Sequence, residues 1–106
     1  MASSKRDKAL LAEITGVARR LARGQLSGAE QQEAAATLSQ VARGRADLLA
    51  ESAGLAIGTH EGGRDEARHL RAAQLCIDAG ADLSLIPQWV EEGRRRAGGS
   101  PSPLRR

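Results

Sequence analysis

Phenylalanine and tyrosine are missing from the chain, and Trp89 is the only aromatic residue in 106. Much of the 41% apolar content is alanine, which contributes little buried area per residue. The core is therefore expected to be thin and aliphatic, with leucine, isoleucine and valine set against alanine-lined helix faces. A marginal monomer, or an oligomer that shares its core, follows from that economy. Such a core also leaves little room for a small-molecule cavity. A lone cysteine, Cys76, excludes an internal disulfide framework and gives no sign of an oxidising compartment. No apolar run approaches the length of a membrane span, and no signal-peptide pattern is seen. The expectation is a cytoplasmic protein that does not engage the membrane. There is also no strand pattern, no nucleophile elbow and no phosphate-binding glycine loop after a strand. The reading is a non-enzyme without a cofactor or an evident small-molecule substrate.

Charge is present but unevenly placed. Residues 1–24 carry Lys5, Arg6, Lys8, Arg19, Arg20 and Arg23 against Asp7 and Glu13, a net of +4. Residues 25–93 sum to −6, and residues 94–106 to +5. Basic ends on an acidic middle can meet nucleic acid, fold back on their own body, or cross to a neighbouring subunit.

The spacing of apolar residues predicts helices throughout. Leu10, Ile14, Val17 and Leu21 form one stripe, which predicts a helix from a cap at Ser3 or Ser4 to about Arg23, with Gly24 as its stop. Arg19, Arg20 and Arg23 fall in its last turns, where cations suit the helix dipole. Ser27 with Glu30 is a capping box for a second helix. Gly44 then breaks that helix or is carried through it at a cost of about 1 kcal/mol, before the pattern resumes at Leu48. Residues 58–64, GTHEGGR, read as an interior loop. Asp65 leads a helix through Leu70, Ala73 and Ile77, and Gly80 is placed for a left-handed turn. Ser84 or Asp82 caps the last helix, and a cap at Ser84 puts Pro87 harmlessly in the first turn. The fold class is all-α: a compact bundle of four or five short helices over residues 1–97, closed by a helical hairpin around Gly80. Trp89 is its largest core side chain, and residues 98–106 form a disordered basic tail.

Two local patterns bear on function. Cys76, Gly80, Ile86 and Trp89 stand at the spacing of a helix–turn–helix, and AGADLSLIPQWVEEGRRR resembles the turn and recognition helix of phage-type repressors. That resemblance implies Ser84, Pro87, Gln88 and Glu91 toward the major groove and Arg94, Arg95 and Arg96 on phosphates. A plain helical hairpin closing a bundle explains the same spacing. HLRAAQLCIDAGADLS resembles one ankyrin repeat, but one copy does not make a solenoid. Over residues 48–97, through Ala53-Gly54-Leu55 and His60-Glu61-Gly62, the chain also resembles small helical proteins of actinomycetes. That likeness implies regulation or partner binding, often near mobile elements.

His60, His69, Asp65 and Cys76 are the candidate zinc ligands, and His60 with Glu61 or Asp65 the candidate catalytic pair. None has the close spacing that a strong metal motif requires, so no metal is expected. The functional expectation is a small regulatory or adaptor protein that binds a protein partner or itself. Leu48, Leu49 and Leu55 are its candidate docking residues, because the helix that carries them has more apolar sides than one buried stripe needs. The alternative is a DNA-binding regulator that uses Ser84, Gln88, Arg94, Arg95 and Arg96.

Overall fold

The structure is a computed structural model that describes residues 5–61 and 67–97. The described residues form five α-helices and no strand: α1 Lys5–Leu21, α2 Gly28–Ala42, α3 Ala46–Glu61, α4 Ala67–Asp78 and α5 Ile86–Ala97. A 3₁₀ turn, Leu83–Leu85, precedes α5. Asp65, the rest of the expected loop and the expected tail at 98–106 lie outside the described residues.

Local chemistry accounts for the helix ends. Ser27 accepts the Glu30 N–H at 3.2 Å, and the Glu30 carboxylate accepts the Ser27 N–H at 2.9 Å, so the capping box is complete. The chain does break near Gly44: Arg43 and Gly44 have φ of 54° and 76°, a left-handed pair that turns α2 into α3. Gly80, with φ of 115°, ends the α4 segment in the same half of the map. Asp82 rather than Ser84 is the cap, since its carboxylate accepts both the Ser84 N–H and the Ser84 hydroxyl. The intervening 3₁₀ turn lets α5 begin at Ile86, so Pro87 still sits in the first turn.

α3 is the hub, in contact with each of the other four helices. Its apolar surplus follows from that position, because every side of it must be covered. Leu48 and Leu49 are only 4% and 2% exposed and Leu55 is half-buried, which corrects their assignment as exposed docking residues. The largest fully buried side chains are Ile14, Leu38, Leu49, Leu75 and Cys76, with alanines such as Ala18, Ala42 and Ala53 between them. Trp89 is not the centre of this core. It is half-buried, because α5 runs along a flank of α3 instead of through the middle of the bundle.

The α3–α5 seam is closed by glycines. A Cβ on Gly54 would strike the Trp89 Cβ and come within 2.8 Å of the Ile86 carbonyl oxygen. On Gly58 it would strike the Val90 carbonyl oxygen and lie 2.6 Å from the Arg94 nitrogen. On Gly93 it would lie 2.5 Å from the Leu55 carbonyl oxygen. These neighbours are mostly backbone and cannot swing aside, so the helices meet this closely only with hydrogen in those places. The same approach corrects the expected loop: Gly58, Thr59, His60 and Glu61 continue α3, since packing against α5 outweighs the weak helix propensity of glycine.

The seam can be tested against an open glycine. Gly58→Ala should lower stability by about 1–3 kcal/mol through overpacking, despite alanine's better helix propensity. Gly16→Ala, in α1 with nothing within 4 Å of the added carbon, should raise it by about 0.5–1 kcal/mol. Urea unfolding followed by the fluorescence of the single tryptophan reads both. Equal responses at the two sites would rule out a sterically closed seam.

Candidate binding surface and cleft

α1 buries Ile14 and Ala18 and turns the opposite side outward. At 3.6 residues per turn that side carries Lys5, Lys8 and Arg19, with Ala9, Ala12 and Gly16 between them and Arg23 just past the helix end. Exposed Glu13 flanks this side beyond Ala9 and Gly16, between Arg6 and Arg20. The cations run over about 21 Å from Lys5 to Arg19 at 1.5 Å per residue. All four side chains are exposed, and none makes an ion pair or side-chain hydrogen bond with another described residue.

Two contacts leave the cations of this face without work in the fold. Asp7 is drawn inward by Arg45, whose Nη1 and Nη2 donate to its carboxylate at 2.9 and 3.1 Å. Arg45 also donates to Asp47, so one guanidinium ties the first turns of α1 and α3 together. Those hydrogen bonds hold the Asp47 carboxyl below its ordinary range and raise the pKa of Arg45. At the other end, Arg71 of α4 donates to the carbonyls of Ala22 and Arg23 at 3.0 and 3.4 Å. The carbonyls just past the end of α1 are thus served by another helix.

α5 is differently disposed. It does not fold back along α4 as a helix–turn–helix requires, and its inward side, including Ile86, Trp89 and Gly93, is spent on α3. Ser84 is exposed but engaged with Asp82, and Gln88 is exposed. Arg94 pairs with Glu91 at 3.1 Å, while Arg95 and Arg96 both pair with Glu92. Two carboxylates thus answer three arginines, and the run that resembled a phosphate clamp keeps one net positive charge.

A cleft of about 180 Å³ opens where four helices converge. Thr15, Ala18 and Arg19 line it from α1, Ser52, Leu55, Ala56 and Thr59 from α3, His69 and Ala72 from α4, and Arg96 from α5. Ser52 is buried, and its hydroxyl lies 3.0 Å from that of Thr15. This space was not foreseen from composition. It forms between helices at the surface, where small residues leave it open, and not inside the core. Cys76 lies deeper: burial pushes its thiol up to about 11, with a contact to Ser52 opposing, so it is a packing group and not a nucleophile. His60 stands on the last turn of α3, is not among the cleft walls, and has its Nδ1 buried without a hydrogen-bond partner among the described residues. Among the described residues, no three of His, Cys, Asp and Glu converge on one point. No described helix is long and apolar enough to cross a membrane.

Hydrogen bonds from Arg95 and then Arg96 hold the Glu92 carboxyl down to about 2. A carboxylate with a depressed pKa stabilises the fold above its ordinary range and loses that contribution as pH falls. The difference in Tm between wild type and Glu92→Gln should be present at neutral pH and vanish as pH falls from the ordinary carboxylate value of 4.5 to about 2. A difference independent of pH would show that the pairs carry no weight. No protein-family model matches the chain, and no curated protein and no solved structure is significantly similar to it.

Proposed function

We propose that the protein is a non-enzymatic binding module that docks an acidic surface of a partner protein on the outward face of α1. The observation that carries this reading is the row of Lys5, Lys8, Arg19 and Arg23, solvated and without ionic partners among the described residues. A fold that uses Arg45, Arg71, Arg95 and Arg96 in internal contacts leaves these four without such work. Their long, exposed side chains suit an electrostatically steered, salt-sensitive encounter. Leucine-based docking has no support now that Leu48 and Leu49 belong to the core.

Nucleic acid is the contrasting partner. Between its cations the α1 face offers mostly alanine and glycine, and α1 carries no Asn or Gln to read an adenine edge. Ser84 and Gln88 sit on the far more neutral α5 region.

The test uses defined probes: polyglutamate and mixed-sequence duplex DNA, each titrated at low and moderate salt. Wild type should bind polyglutamate, more weakly as salt rises. Lys8→Glu combined with Arg23→Glu should reduce binding at least tenfold while changing stability by less than about 0.5 kcal/mol, as exposed sites do. Arg94→Glu with Arg95→Glu should leave it unchanged. Preference for duplex DNA, with loss of binding on changing the α5 arginines, would overturn the proposal.

A further inference from the structure

We infer that the cleft between α1, α3, α4 and the end of α5 is a binding site for a small tetrahedral oxyanion, a phosphate group. Its polar walls are donors: the guanidinium groups of Arg19 and Arg96, the hydroxyls of Thr15, Ser52 and Thr59, and the ring of His69. Among the described residues no carboxylate lines it, and the carboxylates that lie near Arg96 are those of Glu92 and Glu51 behind it. A pocket of donors without an acceptor-only group is matched by a ligand that brings acceptors and negative charge.

Arg96 is already oriented for such a ligand. Its Nε donates to Glu92 at 2.8 Å, which fixes the plane of the guanidinium, and its two amino groups make no hydrogen bond with another described residue. A guanidinium held by one edge presents its remaining donors as a rigid fork, the geometry that phosphate oxygens accept. Arg19 makes no ionic contact with a described residue and faces the cleft from the opposite helix. At the inner end, the Thr15 and Ser52 hydroxyls share one hydrogen bond, and whichever accepts keeps its own proton for a ligand oxygen. A space of about 180 Å³ holds roughly six waters at ~30 Å³ each. That is room for a phosphate with a small substituent.

The inference is independent of the partner surface on α1, although Arg19 touches both, so the test rests on Arg96 and Thr59. The probe is inorganic phosphate, titrated at constant ionic strength against chloride and acetate, with thermal stability and backbone amide NMR as readouts. Phosphate should give a saturable rise in Tm, with shifts centred on Thr15, Ser52, Thr59 and His69. Acetate should bind at least tenfold more weakly, since a planar carboxylate cannot reach the two arginines and the hydroxyls together. Arg96→Gln and Thr59→Val should each weaken phosphate at least fivefold, and Lys8→Glu with Arg23→Glu should not. A phosphate effect that persists in Arg96→Gln, or is matched by chloride, would overturn the site. Shifts confined to the outer face of α1 would also overturn it while leaving the partner surface standing. If phosphate binds, a phosphoserine peptide in place of the free ion distinguishes a partner-borne phosphate from a free one.

Discussion

A helix with packed neighbours on every side cannot spare a polar face, and α3 is that helix. Its residues Leu48, Leu49, Ala50 and Ala53 are buried within two turns, on sides that a single amphipathic stripe could not all cover. The other elements arrange themselves to that demand. α1, α2 and α4 bring Ile14, Leu38 and Leu75 against one portion of it, and α5 closes another. Because the chain has almost no aromatic bulk, closure comes from shortening the distance between helices. Alanine and glycine are therefore the structural residues here as much as leucine is.

Charge follows a similar economy. The carboxylates Asp7, Asp47, Glu91 and Glu92 are committed to arginines close at hand, and Asp78 takes hydrogen bonds from Gln31 and Gln74. Lys5, Lys8, Arg19 and Arg23 are left without ion pairs among the described residues, as are the more scattered carboxylates Glu13, Glu33 and Glu51. Exposed ion pairs contribute little stability individually, so the significance of this pattern lies in the field that the surface presents rather than in the energy of any pair.

Much of this fold was legible in the residues. The Ser27–Glu30 box, the stripe from Leu10 to Leu21 and the turn at Gly80 are local signals, and each appears where its chemistry places it. The spacing of Ile86 and Trp89 correctly marked the inward side of α5, but a period tells that a residue is covered and not by what. The covering helix is α3, about thirty residues earlier in the chain, so the helix–turn–helix geometry did not follow. Gly58 looked like a loop for the same reason: glycine in a close helix contact and glycine in a turn are indistinguishable without the partner. The excess apolar sides of α3 were visible and were assigned outward, because nothing local to Leu48 or Leu49 distinguishes a buried hub from a docking face. The basic charge of the first helix was plain, but the cleft was not. Its walls come from positions 15 to 96 and exist only once four helices have met.

The glycine seam has a consequence for how the molecule breathes. Gly93 is the only fully buried residue of α5, so the helix is held by backbone proximity and half-buried side chains more than by apolar bulk taken from water. Separating it from α3 uncovers this flank and leaves the core shared by α1, α2, α3 and α4 in place. The sensitivity of an opening to denaturant scales with the surface it uncovers, and proteins open in units below the global transition. The amides of α5 should thus exchange with solvent through openings less sensitive to urea than the global unfolding that those around Leu38, Leu49 and Leu75 await.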